Sequence, residues 1–304
     1  MSGQRGASLV EILAALAVQA AVLVALVELY GTGGALLRGV AAVSDLQDDG
    51  AYAALLLERD LRSAGYAGCR HVAERRPRVI AEDFAEWDSV DDGVELWEGG
   101  SGFTAPPGYE AAAGSDVVRV RYATGGAQLA GNLEAENANL QVVGETAGFE
   151  AGNVLLVTDC DAADVFRATA VSRGNGRTTI AHGADVNSSN RLSKRYREHA
   201  RVFRLEEITY FVGRGGGEAG LFRAAGDGAP VLVSGAVERL EVAEVRNGED
   251  EPVGYRYELL LASADGLTTA AQGYSLAGQA VADPGDRRLR RVYRGFASLR
   301  NNLP

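Results

Sequence analysis

Hydrophobic positions are unevenly spread along this chain. Residues 7–30 read ASLVEILAALAVQAAVLVALVELY, in which Glu11, Gln19 and Glu28 are the strongly polar members. At about 1.5 Å per residue, a helix of that length crosses a hydrocarbon core of roughly 30 Å. Farther on, Leu36, Val40, Val43 and Leu46, then Leu57, Leu61 and Ala64, fall at three- and four-residue steps, and no proline precedes Pro77. That spacing predicts one long helix over residues 7–64. Its second half, 31–64, is amphipathic: Asp45, Asp48, Asp49, Glu58 and Arg62 are available to solvent, Glu58 and Arg62 are placed for an i,i+4 pair, and the apolar stripe predicts packing on a sheet. The GTGG at 31–34 is the weak point, because each glycine costs about 1 kcal/mol relative to alanine inside a helix. It reads equally as a hinge or as a tolerated kink.

Beyond residue 65 the pattern changes to short alternating or β-branched runs separated by glycine and polar turns. Strands are expected at 117–122, 154–158, 166–171, 202–212, 231–234, 237–245 and 255–262. They predict a largely antiparallel β domain over 65–304. Residues 74–114 carry few strand signals and hold Trp87, Trp97 and the Pro106-Pro107-Gly108 turn, so surface loops are expected there, with a partner-contact surface as the functional alternative. No internal repeat or low-complexity linker divides the chain.

Composition narrows the function classes. A chain of 304 residues, 46% hydrophobic and 23% charged, is neither collagenous nor wholly disordered. Its formal net charge of -11 disfavours nucleic acid as the main partner. Two cysteines and three histidines are too few for a Cys/His-rich zinc module or an iron-sulfur cluster. His71, His182 and His199 are scattered, no HExxH or GxSxG occurs, and the glycines at 215–217 lack a phosphate-loop ending, so neither an enzyme nor a cofactor is expected. Asp159, Asp161 and Asp164, and the DVNSSN at 185–190, lack the spacing of a calcium loop and read as solvated turns; no metal is expected. The basic run of Arg287, Arg288, Arg290, Arg291 and Arg294 could face DNA or an acidic partner, or form a strand alternating with Leu289, Val292, Tyr293 and Phe296.

Arg5 is the only charge ahead of the apolar run, which argues for a cytoplasmic N-terminus and an exported remainder. No convincing small-x-small site follows the run, so an ordinary secretory signal fits poorly. In an exported protein, Cys69 and Cys160 are expected to pair and to pin the helix end to the sheet, a loop closure worth at most about 4–5 kcal/mol. Glu11, four residues into the apolar helix, costs roughly 2.5–3.5 kcal/mol in lipid and calls for a partner.

Gln4, Arg5 and Gly6 followed by ASLVEILAALAV resemble the processing site of type IV prepilins: a short polar leader ending in glycine, and glutamate as the fifth residue after the cut. The resemblance implies that prepilin peptidase removes residues 1–6 by cleaving between Gly6 and Ala7, then methylates the amine of Ala7; phenylalanine is the commoner residue at that position. It supplies a partner for Glu11, the freed N-terminal ammonium of a neighbouring subunit. Farther along, SDLQDDGAYAALLLERDLRSAGYAGC at 44–69, VLLVTDCDAADVF at 154–166 and RRLRRVYRGFASLRNNLP at 287–304 are similar to PilW-type minor pilins. Membership implies an α+β, type IV pilin-like fold, in which one long N-terminal helix, membrane-spanning over 7–30, packs on a largely antiparallel sheet. It implies a minor pilin that joins other minor pilins and the major pilin to prime pilus assembly at or near the tip. The partners are then prepilin peptidase, the inner-membrane assembly platform and any tip adhesin. The chain would sit in the inner membrane before assembly, with its β domain periplasmic, and in the surface pilus afterwards. A J-type pseudopilin of type II secretion and a surface-binding tip module are the alternatives.

Overall fold

A 55-residue helix, Leu9–Ser63, runs without a break through the GTGG segment. The computed structural model describes residues 9–69, 77–82, 84, 93–145, 148–226, 228–263, 273–282 and 284–299. A Cβ at Gly31, Gly33 or Gly34 would meet nothing within 4 Å, so neither a kink nor close packing within the chain accounts for these glycines. The helix begins to dock later than its apolar stripe suggests: Leu36 and Val40 are 69% and 60% exposed, and burial starts at Ala42. Ten residues, 32–41, therefore lie between Gly31 and the docked part, about 15 Å of helix. From there Leu46, Ala53, Ala54, Leu57, Leu61 and Ala64 form the buried stripe.

The helix exit explains the glycines of the AGYAGC stretch. Gly65 stands just past the end with φ 72°, the left-handed position that stops a helix, and its N–H donates to Arg121 O at 3.0 Å. Gly68, at φ 82°, lies under the Phe203 ring, where a Cβ would come within 2.3 Å of Phe203 Cε2. The next residue, Cys69, is disulfide-bonded to Cys160.

The expectation of an α+β, type IV pilin-like fold is corrected by the rest of the chain. The protein is mostly β, 43% strand against 21% helix, and the strands form several sheets instead of one sheet under one helix. A nine-stranded sheet is built around the 15-residue strand Arg201–Gly215. That strand is long enough to hold two partners on each edge: Val154–Thr158 and Glu218–Ala225 on one, Val117–Gln128 and Tyr109–Ala111 on the other. One pair in this sheet, Arg78–Val79 with Ala163–Arg167, is parallel. Two three-stranded antiparallel sheets and a two-stranded hairpin complete the described part.

Alternation along the central strand assigns the cores, because successive side chains point to opposite faces. On one face, Ile208, Tyr210 and Val212 meet the helix together with the sheet formed by Val237–Arg246, Pro252–Ala262 and Arg290–Ser298. Farther along that face Val202 packs with Leu155, Val157, Leu140 and Ile180, beneath the second small sheet. The opposite face carries one cluster around Phe203 and Leu205 and another around Phe211 and Phe222. The additional sheets explain the correction: each needs its own buried face, and the chain supplies several cores.

Candidate functional site

The apolar helix segment is the part of the described structure least compatible with water. Leu9–Gly31, 23 residues, is long and apolar enough to cross a membrane, as an anchor or as a signal sequence, and none of it is buried against the β domain. Among the described residues, burying that surface in lipid or against other helices is the largest unmet hydrophobic gain. Glu11 lies in the first described turn, exposed on this segment, where the positive end of the helix dipole favours a carboxylate. Gly6 and Ala7, the expected cleavage site, lie outside the described residues, as do His71 and Trp87.

At the other end of the helix is a buried polar centre that the sequence reading did not single out. Asp60 has no exposed surface. Its Oδ1 accepts from Tyr122 Oη at 3.0 Å and from the neighbouring Arg59 guanidinium; its Oδ2 accepts from Tyr210 Oη at 2.7 Å and Arg223 Nε at 3.0 Å. Tyr122, Tyr210 and Arg223 come from three adjacent strands, and Tyr210 stands directly opposite Arg223 in the ladder. Burial and the nearby carboxylate push both phenols well above their ordinary range, so they remain donors at any physiological pH. The Arg223 guanidinium is held more firmly protonated: burial works against its charge, and Asp60 outweighs it. One signal for this centre was available in the sequence: Asp60 falls within the stripe formed by Leu57, Leu61 and Ala64. The expected Glu58–Arg62 pair forms beside it at 2.9 Å.

Two further carboxylates act as internal fasteners. Asp116 accepts the amides of Gly99 at 2.7 Å and Val242 at 2.8 Å, tying the large sheet to the sheet that flanks the helix. Asp164, placed by the sequence in a solvated turn, is instead buried, accepting Ser193 Oγ and Tyr196 Oη, each at 2.6 Å. Asp159 is held by Lys194 at 2.6 Å. Burial opposes its charge, but Lys194 and the amides of Ala162 and Asp161 prevail and keep its carboxyl below the ordinary range. Of the C-terminal arginines, Arg288 and Arg290 bind Glu238, Arg290 also binds Asp286, and Arg294 binds Glu258, the arrangement of the alternating strand. Trp97 is a half-buried member of an aromatic cluster with Phe103, and the Arg119 guanidinium lies 4.8 Å from its ring centre. His182 is buried with Nε2 3.0 Å from Ala138 O, and His199 is exposed.

The disulfide and the Asp60 centre fasten the same stretch of chain. Cys69 lies six residues past Ser63, and Cys160 lies two past the strand Val154–Thr158. The helix end is thus bound to three strands of the large sheet by one carboxylate and to a fourth by a covalent bond. A scan of the chain against protein-family models finds no match, and a search of curated proteins finds none either.

Proposed function

We propose that this chain is a minor pilin that co-assembles with other minor pilins to prime type IV pilus assembly, at the pilus tip. The observation that carries the reading is the apolar segment Leu9–Gly31, bare on every side, continuous with the docked half of the helix and preceded by Gly6-Ala7 with Glu11 at the matching spacing. In this reading prepilin peptidase cuts between Gly6 and Ala7 and methylates Ala7. The span holds the subunit in the inner membrane until it transfers into a bundle of like helices. Glu11 then pairs with the N-terminal ammonium of an adjacent subunit, because a buried ion pair is far less costly than an isolated charge in hydrocarbon. The exported β domain, closed by Cys69–Cys160, faces the other minor pilins, the major pilin and any tip adhesin.

Co-expression of the full chain with prepilin peptidase tests the first step. Intact-mass and N-terminal analysis should show loss of six residues and one added methyl group on Ala7. Pull-down of the membrane-anchored product should recover other minor pilins, and Glu11→Ala should reduce that recovery while leaving cleavage intact. Cutting by a secretory signal peptidase beyond the span, or recovery of no other pilin, overturns the proposal.

A further inference from the structure

We infer that the Asp60 centre is a tension latch: it fixes the register of the long helix against the β domain, so that a pull along the helix axis reaches three strands at once. The inference rests on reading the chain as a subunit anchored through its N-terminal helix. Any load on the β domain then returns to the anchor through that helix and the five residues joining it to Cys69.

Directional bonds set the register of such a joint most sharply. The rest of the docked stripe is Ala42, Leu46, Ala53, Ala54, Leu57, Leu61 and Ala64, small and aliphatic side chains whose packing is non-directional. Sliding the helix one turn toward its N-terminus, about 5.4 Å, sets Leu46, Leu57 and Leu61 where Ala42, Ala53 and Leu57 stood, so part of the stripe keeps aliphatic contacts, while Gly50, Glu58 and Gly65 replace Leu46, Ala54 and Leu61. Asp60 cannot be replaced in this way. A one-turn slip toward the N-terminus brings Ala64 to the site, taking the acceptor from the hydroxyls of Tyr122 and Tyr210 and leaving the partly buried Arg223 guanidinium its 3.2 Å bond to Tyr210 Oη without the charge of Asp60. Because these donors share one carboxylate, they do not yield one at a time. Glu58 also reaches a strand, accepting from Tyr257 Oη at 3.4 Å, a longer bond than any of those to Asp60.

The disulfide supplies the stop behind the latch. Once the helix is stripped away, tension passes from Cys69 directly to Cys160, and the 91-residue interval between them stays out of the load path.

Optical-tweezer pulling of the full-length chain in detergent, with handles at its two ends, tests this. Asp60→Asn should raise the rate of helix detachment by about 100-fold, and Tyr122→Phe with Tyr210→Phe, which keeps the Asp60–Arg223 pair, by about tenfold. With handles at exposed Val143 and Arg197 instead, the pulled segment contains neither the helix nor Tyr122, Tyr210 or Arg223, and the same substitutions should change the rupture rate less than about threefold. Ile180→Ala, on the buried face of the small sheet, should show the reverse preference. Reduction of the disulfide should add about 300 Å to the final end-to-end extension. Equal effects of Asp60→Asn in both geometries, or no effect with handles at the ends, overturns the latch. Pilus assembly does not enter this readout, so a failed pull-down with other pilins leaves it standing.

Discussion

Asp60 carries more of the tertiary structure than any other single polar residue described, because one fully buried carboxylate holds the helix to three strands. Asp60→Asn leaves Arg223 as an uncompensated, partly buried charge, so a loss of about 3–5 kcal/mol is expected in a denaturant titration, with the aliphatic stripe intact. The phenols around the buried carboxylates set a second expectation. Tyr122, Tyr196, Tyr210 and Tyr257 are all raised, by burial first and then by Asp60, Asp164 or Glu58. In the unfolded chain they ionise near the ordinary phenol value of 10.0. The folded state keeps their protons longer, so the stabilisation is complete below that pH and is lost as pH rises through and beyond it. Asp159 has the opposite sign: its carboxyl is lowered in the fold, so its contribution is present above its ordinary value of 3.8 and disappears as pH falls through the folded value. Thermal melts across pH should show a plateau bounded by these two flanks. Replacing Tyr196 and Tyr210 with phenylalanine should flatten the alkaline flank; an unchanged slope would mean that the phenols do not cause it.

At the scale of elements, the long helix was legible because its apolar positions repeat with the helical period and no proline interrupts them. The strands 154–158 and 231–234 were legible for a similar reason, as short β-branched runs bounded by polar or glycine residues. Others were not. The expected strand at 166–171 straddles the end of Ala163–Arg167 and the start of Ala170–Gly174, and its hairpin partner Arg177–Ala181 follows an Asn175-Gly176 turn that signals a tight hairpin. Strand Glu218–Ala225 is not legible in its own glycine- and alanine-rich run, because adjacent Leu221 and Phe222 are both buried, in cores on opposite faces of the sheet, and no alternation results. The glycine-rich stalk invites a direct test. With nothing within 4 Å of a Cβ at Gly31, Gly33 or Gly34, the triple replacement by alanine should slow amide exchange over 31–41 without moving the β-domain melt, each position gaining about 0.5–1 kcal/mol of helix stability. At the opposite end of the helix, Cys69→Ser with Cys160→Ser should cost about 2–5 kcal/mol, measured against the oxidised protein in the same buffer.

For the whole molecule, the averages conceal a division of labour. The apolar character is concentrated in a span with no cover of its own, while the β domain buries its strands in several clusters and sets its acids against arginines on neighbouring strands. Full-length protein should therefore partition into detergent or bilayer, and a chain starting at residue 31 should remain in the aqueous phase with the same near-ultraviolet circular dichroism. Loss of that tertiary signal on truncation would show that the span supports the β domain, contrary to its lack of contact with it.

The sequence alone determined the features that are local or covalent in logic: the period of the helix, the length of its apolar run, the turn glycines, and the pairing of two cysteines in a chain with no others. Only the tertiary structure decided what depends on residues far apart in the chain. Asp60 meets partners 62, 150 and 163 positions away, and no local pattern states which strands will stand beneath that turn of the helix. The number of sheets was decided the same way. A strand's alternation shows that one face is buried; which element buries it depends on long-range packing, and here that packing produced a mostly β molecule with several cores.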